Sequence, residues 1–118
     1  MSGNTAVGAG GAFAAVDSAT LNVGNDTLKL NSAATAGGIQ NIGSTVNIGN
    51  SIIAGNLSSD DSPDLIGDFI TFGHNIIGDL GGATLTPNDA GVEGDLVGDS
   101  MSPLDAGLAP LADNGGLT

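Results

Sequence analysis

The chain has 118 residues, room for one domain, with 21 glycines, three phenylalanines and neither tryptophan nor tyrosine. Its net charge of −12 comes from twelve aspartates and Glu93 set against Lys29, with no arginine. Such a surface repels phosphates, which excludes nucleic-acid binding and disfavours anionic membranes. The lack of cysteine excludes disulfides and thiolate metal sites.

The glycines follow no Gly-X-Y period, so the chain is not collagen-like. Met1 to Asn4 carries neither the basic region nor the apolar core of a signal peptide, and no apolar run approaches the ~20 residues that span a bilayer. From Gly10 onward a repeated unit takes over. Gly10-Gly11-Ala12-Phe13 opens one unit and Gly37-Gly38-Ile39-Gln40 the next, while Ser2-Gly3-Asn4 reads as the close of a unit entered part-way. Short alternating stretches follow at 19–23, 27–30, 44–48 and 51–54, each bounded by Gly, Asn or Ser. That pattern predicts short strands, and no stretch carries a helical period with caps.

Val23-Gly24-Asn25, Ile48-Gly49-Asn50 and Phe72-Gly73-His74 recur at steps of 25 and 24 residues. A period in the twenties with strand-like texture predicts an all-β fold, a parallel β-helix (solenoid) of about four coils. Side chains in such a solenoid stack like on like at ~4.8 Å. Three apolar ladders are expected: Leu21/Val46/Ile70, Val23/Ile48/Phe72 and Leu28/Ile53/Ile77. Gly24, Gly49 and Gly73 are expected to mark a corner with a conformation that side chains oppose. Residues 58–63 read as a loop bulging from one corner. The repeat holds over residues 1–79, and residues 80–118 form a terminal coil and a loop-rich, acidic segment of the same domain. Within it, residues 95–99 echo residues 75–79 at a step of 20. Ten of the twelve aspartates lie between Asp60 and Asp113.

Residues with chemistry must be weighed against this stacking. Asn22/Asn47, Asn25/Asn50 and Asn31/Asn56 occupy repeat positions, where amides hydrogen-bond between coils, and a structural role is favoured over ligand binding. His74 stands in the slot of Asn25 and Asn50, which favours a corner residue over a catalytic or metal-binding histidine. Residues 24–28 look like half of a calcium-binding nonapeptide, but the preceding glycines are missing and Ser51 replaces Asp26 in the next unit. Asp60, Asp61, Asp64 and Asp68 are the densest carboxylates and the candidate ligands for a weak Ca2+ site, without any EF-hand spacing. No other cofactor is expected. Catalysis has thin support, because Lys29 and His74 are the only bases. The alternative reading is a fragment of a β-helix carbohydrate-active enzyme, a polysaccharide lyase or hydrolase in which Asp60, Asp61 and Asp64 mimic a carboxylate set.

Three stretches carry a resemblance: Asn50 to Asn56 (NSIIAGN), Pro63 to Asp79 (PDLIGDFITFGHNIIGD), and Asp95 to Gly98 (DLVG) followed by Leu108 to Gly116 (LAPLADNGG). Together they resemble the bacterial choice-of-anchor Q domain proteins over roughly residues 37–118. The upstream units resemble polymorphic outer-membrane protein repeats. His74-Asn75 falls on that family's His-Asn, and Asp113 to Gly116 on its Asp-Asn-Gly-Gly. Ala106 and Leu117 depart where prolines are usual, and Ala109 where glycine is usual. The resemblance implies a right-handed parallel β-helix on an exported protein, located extracellularly or at the cell surface, with no assigned catalytic residues. It implies adhesin-like partners, cell-surface or carbohydrate ligands, and a chain that is a fragment of a longer protein. Exposed ends of a solenoid add an expectation of end-to-end self-association.

Overall fold

The computed structural model describes residues 1–89 and 94–109, and among them there is strand and turn but no helix. The first layer carries β1 (Phe13–Val16), β2 (Thr20–Gly24), β3 (Thr27–Leu28) and β4 (Ser32–Ala33). The second repeats it with β5 (Ile39–Ile42), β6 (Thr45–Gly49), β7 (Ile52–Ile53) and β8 (Leu57–Ser58). The third has β9 (Leu65–Ile66), β10 (Asp68–Thr71) and β11 (Ile76–Ile77), followed by β12 (Thr84–Pro87) and β13 (Leu96–Val97). Every strand pairs in parallel with its counterpart in the adjoining layer, giving sheets β1-β5-β9, β2-β6-β10-β12, β3-β7-β11-β13 and β4-β8. Ser2, Thr5 and Ala9 bridge to Lys29, Ser32 and Thr35, so the first residues lie alongside as an incomplete preceding layer.

The strands are short because the corners between them need left-handed backbone. Positive φ recurs at Ser18 and Gly43, at Asn25 and Asn50, and at Leu30 and Gly55, each pair 25 residues apart. This corrects one expectation. Gly24 and Gly49 end β2 and β6 without a positive φ, and the left-handed corner falls one residue later on Asn25, Asn50 and His74, joined in the third layer by Gly73. Asparagine tolerates that region better than other side chains, which explains its place there.

Glycine is indispensable instead where layers touch. Gly38 N–H donates to Pro63 O, and Ile39 N–H to Asp64 O at 2.8 Å. A Cβ on Gly38 would sit 2.1 Å from that same Asp64 oxygen.

The core runs through the layers as Ala15, Val23, Leu28, Ile39, Val46, Ile48, Ile53, Leu65, Phe69, Ile77 and Ala83. Leu28, Ile53 and Ile77 stack as expected, in direct register and almost wholly buried. Burying each contributes roughly 1.5–3 kcal/mol. The pairing of β2 with β6 also follows the expected step of 25, Leu21 on Val46 and Val23 on Ile48.

The third layer departs from that step. Asn47 pairs with Ile70 and Ile48 with Thr71, so the step falls from 25 to 23 along β10 and is 24 at the corner that follows. Phe72 is the extra residue. It follows Thr71, and the next corner residue, Gly73, accepts the Asn50 N–H as Gly49 accepts that of Asn25. A one-residue shift flips a strand's faces. Phe69 therefore enters the core at 1 % exposure, Ile70 faces outward beside Asn47, and Phe72 is left 49 % exposed. The expected places of Ile70 and Phe72 in the ladders are thus corrected. The echo at residues 95–99 holds: Leu96 and Val97 pair in parallel with Ile76 and Ile77.

Candidate functional site

The four aspartates singled out from the sequence do not meet. Asp60 is exposed, and its Oδ1 accepts the Ser58 hydroxyl at 2.7 Å and the Ser62 N–H at 3.1 Å, closing the turn that leads out of β8. Asp61 is exposed in the same loop, and Asp68 is exposed at the start of β10. Asp64 is buried. Among the described residues no three His, Asp or Glu side chains are grouped to hold a metal ion. Nearness in sequence misleads here because the turn before β9 carries Asp64 into the interior while Asp60, Asp61 and Asp68 stay exposed.

Asp64 ends a chain of amides through the stack. Asn4 Nδ2 donates to Asn31 Oδ1 at 2.8 Å, Asn31 Nδ2 to Asn56 Oδ1 at 2.9 Å, and Asn56 Nδ2 to Asp64 Oδ1 at 2.7 Å. Backbone N–H groups join at each step: Asn31 N donates to Asn56 Oδ1, Asn56 N to Asp64 Oδ1, and Asp79 N to Asp64 Oδ2 at 2.8 Å. Each asparagine accepts from one layer and donates to the next. A carboxylate only accepts, so it ends the chain. Burial pushes the Asp64 carboxyl above the usual carboxylate range. The Asn56 and Asp79 donors pull the other way, while the neighbouring Asp79 charge adds to the rise.

A second chain has the same form. Ser51 N–H donates to Asn75 Oδ1 at 3.0 Å, and Asn75 Nδ2 donates to Asp95 Oδ1 at 2.9 Å. Thr71 Oγ1 donates to Asp95 Oδ2 at 2.7 Å, so this chain also ends on a carboxylate. Asn31, Asn56, Ser51 and Asn75 are all buried.

The exposed amide pairs hold as read from the sequence: Asn47 Nδ2 donates to Asn22 Oδ1 at 2.7 Å, and Asn50 Nδ2 donates to Asn25 Oδ1. His74 takes the third place in the Asn25/Asn50 corner, exposed and left-handed like them. Lys29 Nζ donates to Leu108 O, tying the segment after β13 to the side of the stack. Cavities of 280 and 260 Å³ adjoin Lys29, the first also lined by Asp64, Asp79 and Pro103. The expected resemblance over Asp113 to Gly116 lies outside the described residues.

One feature escaped the sequence reading. Between the Asn22–Asn47 pair and Phe72 runs a shallow trough of 230 Å³, floored by Val23, Gly24, Ile48 and Gly49. Gly49 is bare at the point where a Cβ would lie 3.0 Å from the Phe72 Cβ. No charged residue lines it. The signal was present in the sequence as the alternation of Phe69-Ile70-Thr71, which fits a step of 23 and leaves Phe72 over.

Comparison with protein-family models, with curated proteins and with solved structures gave no match to this chain.

Proposed function

We propose that this chain is a non-catalytic structural and interaction segment of an exported bacterial cell-surface protein, with an adhesive role. In this reading it is a right-handed parallel β-helix related to the choice-of-anchor Q domain proteins. The parallel pairing of the first three layers at steps of 23 to 26 residues, shortening to 16 and 20 at β12 and β13, supports the solenoid. The observation that carries the functional reading is the use made of the buried polar residues. Asn31, Asn56, Asn75 and Asp64 spend their hydrogen-bonding capacity on neighbouring layers. A general acid or nucleophile needs a lone pair or proton aimed at substrate. Asp64 instead receives three N–H groups.

The test is turnover. Purified protein incubated with neutral and acidic polysaccharides is expected to release neither reducing ends nor unsaturated products. Product formation that disappears in a folded Asp64→Ala or Asp60→Ala variant would overturn the reading.

A further inference from the structure

We propose that residues 103–109 act as a strap, latched on Lys29, that couples the last layer of the stack to the first and opens without unfolding the layers beneath it.

The strap starts where the last layer ends. After β13 the chain reverses in a tight turn: Asp99 and Ser102 exchange backbone hydrogen bonds, and Asp99 Oδ1 accepts the N–H groups of Met101 and Ser102. The chain then crosses directly over bare backbone. Leu104 N–H donates to Gly78 O at 2.7 Å, and a Cβ on Gly98 would lie 2.3 Å from that Leu104 nitrogen. From there it climbs the side of the stack. Leu104, Ala106 and Leu108 are partly buried while Asp105, Gly107 and Ala109 are exposed, the alternation of an extended segment with one face against a wall. That wall is Ala54 and Gly55 in the second layer and Lys29 in the first.

The far end is fastened by a charged donor. Gly107 is left-handed at φ 65°, and its N–H donates to Asp105 Oδ1 at 2.9 Å, so the strap turns just before Leu108. Lys29, the chain's single lysine, lies along Gly55 and donates from Nζ to the Leu108 carbonyl. Hydrogen bonds from charged donors are stronger than neutral ones.

This placement matters because layers of a solenoid contact only their neighbours. The strap reaches from Gly78 in the third layer to Lys29 in the first, and joins layers that do not otherwise meet. It is also held lightly. Among the described residues two hydrogen bonds join it to the layers, and cavities of 280 and 260 Å³ lie along it. Segments with few buried contacts open at a lower free energy than the core. Asn56 and Asp64 border the first cavity, so an open strap admits water to the end of the amide chain.

The test is native-state hydrogen exchange, read by NMR on the full chain and its variants. Lys29→Met keeps the aliphatic stem and removes the donor. Gly107→Val acts from the strap alone: it sets a β-branched side chain on left-handed backbone, at a place where a Cβ meets nothing within 4 Å. Each is expected to speed exchange of the Leu104 N–H about tenfold or more, with the Gly98 N–H following. The Thr45 and Phe72 N–H groups, which donate to Ala19 O and Ile48 O on another face, are expected to stay within about twofold. Lys29→Arg keeps a charged donor and is expected to preserve slow exchange at Leu104. The combined Lys29→Met and Gly107→Val chain is expected to exchange there no faster than either single variant. Unchanged exchange at Leu104 in both single variants would overturn the proposal. Equal acceleration at Leu104, Thr45 and Phe72 would overturn it as well, because Lys29 would then support the whole stack rather than latch a strap.

Discussion

Replacing Asn56 by alanine cuts the buried amide chain at its middle. The Asn56 side chain makes four hydrogen bonds: its oxygen accepts the Asn31 N–H at 3.0 Å and Asn31 Nδ2 at 2.9 Å, and its nitrogen donates to Leu28 O at 3.0 Å and Asp64 Oδ1 at 2.7 Å. Each is worth a net ~0.5–1.5 kcal/mol, and a buried donor left without a partner costs ~1–3 kcal/mol. The Asn31 N–H becomes such a donor, since Asn31 is fully buried. The terms sum to ~3–9 kcal/mol, and because the stranded-donor cost overlaps the lost bonds to Asn31 the expected loss sits at the lower end, about 3–5 kcal/mol, a large share of the ~5–15 kcal/mol that holds a typical domain folded. For a chain of this size that lowers the melting temperature by roughly 10–25 °C.

Asn47→Ala is the control. It removes the same residue type from the same kind of inter-layer pair, but its bond to Asn22 is exposed, and the expected cost is within about 0.5 kcal/mol. Urea denaturation of both variants gives the comparison. Equal losses, or a loss below about 1 kcal/mol for Asn56→Ala, would refute the claim that the buried amides hold the layers together.

Three further outcomes are expected. Because the folded pKa of Asp64 lies above its unfolded value, the stabilisation from its proton is fully present below the ordinary aspartate pKa of ~3.9 and is lost as pH rises through the raised value. Subtracting the urea stability of Asp64→Asn from that of the wild type should isolate this decline, and a difference that rises with pH would contradict it. Since Asp60, Asp61, Asp64 and Asp68 are not gathered, millimolar calcium should leave the melting temperature within about 1 °C, whereas a chelator-reversible rise of several degrees would show that they gather in solution. Among the described residues β1 and β2 each pair on one side only, so sedimentation should reveal concentration-dependent self-association, and a strict monomer at high concentration would argue that these edges are protected.

Much of the stacking could be read from the sequence because identical residues mark it. Asn22 and Asn47, Asn25 and Asn50, and Asn31 and Asn56 share one step, and each pair bonds as expected. The reading failed where a single residue was added. Phe72 directly precedes Gly73, which takes the corner place of Gly49 in the layer before. An apolar residue beside Gly73 looked equivalent to Ile48, and only pairing distinguishes a step of 23 from one of 24. The role of Asp64 was hidden for a related reason. It follows Asn56 by 8 residues rather than 25, because a bulging loop returns the chain to the ladder before the layer is complete. A carboxylate among other aspartates reads as acidic surface; only its burial and its three N–H partners show it to be the end of an amide chain.

The central claim is that Asp64 belongs to a buried ladder rather than to a site. A double-mutant cycle between Asn56→Ala and Asp64→Ala, read by urea denaturation, tests it most directly. If the two side chains act through the bond at 2.7 Å, the double variant should lose about 1–3 kcal/mol less than the sum of the single losses. Strict additivity would contradict the account.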